Sequence, residues 1–183
     1  MSEEIVIQQC SPTLAGIKAG SLFTCVYDSI ESMESDISEF NKRFVNKGLH
    51  AVVLKYARRA LIYIYRHIRL TVDLAHPKAR QILGARGYDT NDIDGCIQQL
   101  KKRFEINADF PHEIGLFLGY PPEDVEGFIR FGGKNCKCFG CWKVYGNIEA
   151  AHQCFERFKK CTACYCERYR LGCPLDALVV AQS

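Results

Sequence analysis

Cysteine is the residue type whose number and spacing first suggest chemistry. The 183-residue chain has eleven, and eight lie in the 38 residues from Cys136 to Cys173. Cys138 and Cys141 form a C-x2-C pair, as do Cys161 and Cys164. Nineteen residues separate the two pairs. Four thiolates at this spacing suit a tetrahedral zinc site. Gly140 permits the tight turn that would let Cys138 and Cys141 converge on one ion. Cys136 and Cys166 are alternate ligands. With Cys173 also to spare, an iron–sulfur cluster is the alternative cofactor. The competing reading has no cofactor at all. Cys154, Phe158, Cys161 and Tyr165 recur as one helical stripe, and a buried free cysteine packs as a small hydrophobe.

A second constellation could do acid–base chemistry. His112 and Glu113 follow Pro111, and Asp124 follows Pro122. An imidazole titrates near neutral pH, and a carboxylate partner would make an acid–base pair. Lys18 and Lys143 could then hold an anionic substrate. The competing reading is structural, because carboxylates are favoured in the first turn of any helix. The chain has no H-E-x-x-H, no phosphate-cradling glycine loop and no G-x-S-x-G.

A third group is basic. Lys55, Arg58, Arg59, Arg66, His67 and Arg69 lie among Tyr56, Tyr63 and Tyr65. Cations interleaved with aromatic rings could bind single-stranded nucleic acid by stacking, or hold a phosphate-bearing cofactor. A net charge of only +3 argues against nucleic acid.

These residues need elements to position them. Residues 10–25 are punctuated by Gly, Pro and Ser and read as loop with short extended pieces. Apolar residues at three- and four-residue spacing predict a helix over 30–46, capped by Ser29. The β-branched and aromatic run 49–66 predicts an antiparallel hairpin, with a continuous helix from 50 to 70 as the competing reading. Helices follow over 67–75 and 77–85. Another is capped by Thr90 or Asn91, with Ile93, Cys96, Ile97, Leu100 and Phe104 on one face. Pro111 and Pro122 predict helix starts, giving helices over 112–118 and 123–131. Residues 141–146 predict a strand that pairs with the hairpin, with Trp142 largely buried and Lys143 facing a polar cleft or solvent. Asn147 caps a long helix from 148 to about 170. That helix would bring Cys161 back level with Cys141.

The runs FPHEIGLFLGYPPEDVEGFI (110–129) and GCWKVYGN (140–147) resemble the signature of the bacterial domain-of-unknown-function family 3793. CSPTLAGIK (10–18), Tyr65-Arg66 and Gly87-Tyr88 also fit it. The positions matching the family motif are Cys10, Lys18, Arg66, His112, Glu113, Asp124, Trp142, Lys143 and Tyr145. The resemblance implies a small single-domain protein of anaerobic bacteria, with a redox or iron-metabolism partner. Lys18, Arg66, Lys143 and Tyr145 are the candidate substrate-binding residues if the protein is a small enzyme. The cysteines around 136–141 and 161–166 depart from that pattern, so a role resting on them belongs to this branch of the family.

Composition bounds the rest. Apolar residues make up 48% and charged residues 25%, an ordinary globular balance that excludes a disordered scaffold. The acidic start and the short Ile5–Ile7 apolar run do not form a signal peptide, and no stretch is long enough to span a membrane. A reducing cytoplasm is the expected location, where many cysteines mean metal, redox chemistry or inert packing. The expected fold is α+β, one domain over 1–183 with a cysteine-rich subregion at 136–173 and a small antiparallel sheet against several helices. The expected function is redox or metal association through the C-terminal cysteines. The alternatives are a small enzyme using His112, Glu113 and Asp124 on an anionic substrate, and a non-enzymatic nucleic-acid or protein interaction module.

Overall fold

The computed structural model describes residues 1–106 and 109–181. It is α+β, with a small antiparallel sheet between helices. Helix α1 spans Glu3–Leu14. Ser2 caps it, Glu3 and Glu4 occupy its first turn, and Val6, Ile7, Cys10 and Leu14 line its buried face. This corrects the loop expected from residue 10 onward. Pro12 does not break the helix, because it falls in the last turn and removes only one hydrogen bond.

Strand β1 (Gly20–Cys25) follows, then α2 (Ile30–Phe44), which buries Met33, Ile37, Phe40 and Phe44. A short 3-10 turn ends at Gly48, whose positive φ of 75° favours glycine. The hairpin is present as β2 (Leu49–Lys55) and β3 (Ala60–Arg66). The strand order is β1-β3-β2, all antiparallel. Strand β3 is central and covered on both faces. Ile62 and Ile64 face α1 and α2, while Tyr63 and Tyr65 face the helices that follow. That double burial explains a near-continuous apolar run without clean alternation. At the outer edge of β2, the Asn41 amide mimics a neighbouring strand. It accepts from the Ala51 amide at 2.7 Å and donates to the Ala51 carbonyl at 3.0 Å.

Helices α3 (His67–Leu74) and α4 (Pro77–Gly84) cover the second face, with α5 (Ile93–Ile106) beside them. Asp92 rather than Thr90 or Asn91 caps α5, accepting from the Gly95 amide at 2.9 Å. Short α6 (Ile114–Phe117) leads into α7 (Pro122–Phe131).

The expected strand over 141–146 is corrected. Only Lys143–Val144 (β5) is strand, and it pairs with Cys138–Phe139 (β4), not with the hairpin. The third place in the main sheet belongs to β1. The amides of Tyr145 and Gly146 both donate to the Asp124 carboxylate at 2.7 Å, so a side chain takes the bonds a strand neighbour would have taken. Val144 is buried, whereas Trp142 is half-buried.

Helix α8 (Ile148–Arg170) is capped by Asn147 and lies along α1. It buries only Ala151 and Phe158, a narrow stripe for 23 residues. A last turn, α9 (Leu175–Leu178), closes the core beside α1 and α2. Among the described residues, no helix is long and apolar enough to cross a membrane.

Candidate functional site

Helices α6 and α7 meet the β4–β5 hairpin around a cavity of about 370 Å3. Six rings line it, Phe110, His112, Tyr120, Phe128, Phe139 and Trp142, with aliphatic side chains between them. Gly115 lets α6 pass close to α7, since a Cβ there would lie 2.8 Å from Val125. Tyr120 and Trp142 stack at 4.8 Å, and Phe155 of α8 supports Trp142 edge-on at 4.5 Å. Phe139 stands exposed at the rim.

Asp124 builds this wall. Its carboxylate is 2% exposed and accepts three hydrogen bonds, all at 2.7 Å. The donors are Trp142 Nε1 and the amides of Tyr145 and Gly146. An acidic residue in the first turn of α7 thus satisfies the hairpin's backbone as well as the helix dipole. His112 borders the same cavity, with its ring 4.8 Å from Phe128 and 6.0 Å from Phe110. Lys143 also lines it. Its Nζ donates to the Gly133 carbonyl at 2.6 Å and lies 5.8 Å over the Phe128 ring.

Of the expected acid–base residues, His112 and Asp124 come together here and Glu113 does not. Glu113 points to the other side, buried, with Arg103 Nε at 2.5 Å and Arg86 Nε at 3.6 Å. Tyr88 donates to it at 3.1 Å. Two guanidinium groups compensate this carboxylate, and it ties α4 and α5 to α6.

Arg66 is also elsewhere. It is 1% exposed and donates to the carbonyls of Thr13, Leu14 and Lys47. A cation at the C-terminus of α1 complements the helix dipole and its last carbonyls. Tyr145 covers Gly127 with its ring and donates to the Lys134 carbonyl at 3.0 Å, outside the cavity wall. Of the three tyrosines expected to form a stacking face on the basic hairpin, Tyr56 is half-buried. Tyr63 and Tyr65 are buried, as is Arg66.

Lys18 comes to the outer side of Tyr120. Its Nζ lies 5.5 Å from the Tyr120 ring centre and 5.8 Å from that of Phe158. Three thiols face it electrostatically: Cys10, Cys141 and Cys154. Burial pushes the amine below the ordinary lysine value, partly offset by those thiols. Burial pushes the Cys10 thiol up to about 12. Burial also raises Cys141 and Cys154, with Lys18 pulling both back.

The four expected zinc ligands do not converge. Gly140 and Trp142 rest on Phe155, so the hairpin meets α8 at residues 154–155. Cys161 begins about 9 Å further along at 1.5 Å per residue, well beyond the sulfur–sulfur spacing of one tetrahedral site. Cys154, beside Phe155 on α8, lies nearer the hairpin than Cys161 does, which C-x2-C counting does not reveal. Cys161 and Cys164 share one side of α8, Cys164 exposed, and Cys166 and Cys173 pack near α1 and α9. Cys136 and Cys138 are half-buried in the hairpin arm. Among the described residues, no three His, Cys, Asp or Glu side chains are grouped to hold a metal ion.

Sequence reasoning missed the ring-lined cavity itself. The available signal was the density of aromatic residues between Phe104 and Phe131, which reads equally well as core. No curated protein and no solved structure matches this chain. The match is to the family described as "Protein of unknown function (DUF3793)", whose model covers residues 6–179, and the chain belongs to that family.

Proposed function

We propose that the cavity between α6, α7 and the β4–β5 hairpin binds a planar, largely apolar small molecule whose polar edge meets His112 and Lys143. The observation that carries this reading is the cavity's lining, with six rings around about 370 Å3. Small-molecule sites are concave and mostly apolar with a few convergent polar groups, and rings favour stacked or edge-on aromatic partners. Asp124 serves as the positioning residue, because its carboxylate already holds Trp142 and the hairpin amides. His112 is the one wall ring that carries two polar nitrogens.

Trp142 is the chain's single tryptophan and a cavity wall, so its emission reports occupancy. The test titrates 2-naphthoate and neutral 2-naphthol while following that emission. Saturable quenching is expected, stronger with the anion because of Lys143. Phe128→Ala should weaken naphthoate binding about three- to tenfold, the worth of one aromatic contact. Unsaturable or absent quenching with both compounds overturns the reading.

Thiol redox chemistry is the second reading, favoured by the eight cysteines from Cys136 to Cys173, of which Cys141 and Cys164 are exposed. Oxidised glutathione should then form a mixed disulfide, releasing reduced glutathione, at a cysteine between Cys136 and Cys173 before any thiol outside that stretch. The metal form requires α8 and the hairpin to shift by about 9 Å, six residues at 1.5 Å each. Stoichiometric zinc or iron in anaerobically purified protein would support it.

A further inference from the structure

Phe110 and His112 are walls of two cavities. One is the ring-lined cavity; the other, of about 390 Å3, adds Arg86, Arg103, Asp109 and Glu113. Its polar walls come from three places in the fold. Arg86 follows α4, Arg103 stands in the last turn of α5, and Glu113 precedes α6. The two guanidinium groups are about three-quarters covered, and Glu113 is 2% exposed.

Glu113 holds both cations but does not use up their donors. Each comes closest through Nε, Arg103 at 2.5 Å and Arg86 at 3.6 Å. The Arg103 contact is a charge contact out of line: its Nε is buried and makes no hydrogen bond among the described residues. Arg86 gives one Nη to the Ile82 carbonyl at 2.8 Å, and Glu113 also accepts from Tyr88 at 3.1 Å. A guanidinium carries five N–H donors in a planar fork. One carboxylate met side-on leaves most of ten donors for another acceptor, and a buried donor without one calls for it. The charges agree. Two cations against one buried carboxylate leave one positive charge at the base of the cavity. Asp109 balances it only from the exposed rim, where water screens it.

We infer that this second cavity is an oxyanion site, in which Arg86 and Arg103 take a carboxylate or phosphate group between their Nη atoms. Guanidinium forks match such groups with paired hydrogen bonds, which a lysine cannot do. Glu113 is the positioning residue. It fixes both guanidinium groups before the anion arrives, so less side-chain freedom is lost on binding. The site does not require the ring-lined cavity to be filled.

The experiment follows the Nε–Hε signals of the arginines by NMR in the full chain. Inorganic phosphate or acetate replaces chloride at constant ionic strength. Arg86 and Arg103 should shift together and saturably, while exposed Arg58 should follow only the bulk salt. Tighter binding of phosphate assigns the site to phosphate esters, and tighter binding of acetate assigns it to carboxylates. Arg86→Lys keeps the charge and loses the fork, and should weaken binding about tenfold, the worth of one charge-assisted hydrogen bond. Asp109→Asn should tighten it about two- to fivefold, the worth of one exposed charge pair. Shifts at Arg86 and Arg103 that stay linear in anion concentration, or that Arg58 matches, overturn the inference. Those readouts come from the wild-type chain, so the result stands even where Arg86→Lys does not fold.

Discussion

The sheet core and the β4–β5 hairpin solve the same backbone problem differently. Strand β3 has a strand on each side and apolar layers on both faces, so its amides and carbonyls are satisfied by ladders. The hairpin has a ladder of two residues per strand. Side chains complete it. Asp124 accepts from Tyr145 and Gly146, Lys137 Nζ donates to the Gly146 carbonyl at 2.8 Å, and Tyr120 donates to the Cys141 carbonyl at 3.3 Å. Replacing ladder bonds with side-chain bonds lets the chain keep an ordered wall and an open cleft together.

Each region also has one deeply buried charge bonded to backbone. Arg66 binds three carbonyls from α1 and the turn before β2; Asp124 binds two amides and the Trp142 ring nitrogen. The difference lies in what depends on each. Arg66 joins elements that pack together anyway, while Asp124 holds the hairpin to α7. The largest expected effect is therefore on overall stability, from Arg66→Met. It keeps an apolar stem but loses three charge-assisted hydrogen bonds, for about 3 kcal/mol. In a domain of this size that lowers the melting temperature by about 6–12 °C. An unchanged melting temperature would mean that the α1 terminus is secured by packing alone.

Asp124→Asn should act locally and more weakly, at about 2 kcal/mol. An Asn oxygen can still accept the two amides, but its NH2 group would then face the Trp142 N–H donor. Trp142 emission should shift red and lose its response to naphthoate. Amide exchange should quicken over 138–146 and stay slow in β1–β3. Equal quickening in both regions would break the contrast, since it would make the hairpin part of the same cooperative unit.

The contrast also accounts for what could be read from residues alone. The hairpin 49–66, the helices around it and Lys143 beside the cleft were legible, because periodicity and caps act over a few positions. Helix α1 was missed because Pro12 and Gly16 read as punctuation, although Ser2, Glu3 and Glu4 already mark a helix start. The strand over 141–146 was over-read because alternation cannot show that Asp124, about twenty residues earlier, replaces the partner strand. His112 and Asp124 were singled out and share the cavity, yet Glu113 and Arg66 were assigned to a site when their partners are internal. Cysteine spacing was a guide to ligand type and not to distance. Cys161 lies out of reach of Cys141 because Phe155 stops the hairpin about a turn and a half earlier along α8.

The smallest expected effect concerns how the chain's end is fastened to the sheet core. Arg43 of α2 bonds Glu3 of α1 at 2.9 Å and Asp176 of α9. The Arg43 guanidinium holds the Asp176 carboxyl below the usual carboxylate range. The folded value is lower than the unfolded one, so the ionised form is the stabilised form. The contribution is complete above the unfolded value near 4 and declines as pH falls through the folded one. Asp176 is about half exposed, so water and salt screen the pair and about 0.5 kcal/mol is expected. Asp176→Asn should therefore lower the wild-type melting temperature by only about 1–2 °C at pH 7. The difference should shrink as pH falls below the unfolded value and through the lower folded one, and in molar salt. A difference that persists in acid would mean that α9 is held by the Asp176 backbone carbonyl, which accepts from Lys47 Nζ at 2.5 Å, and not by its side-chain charge.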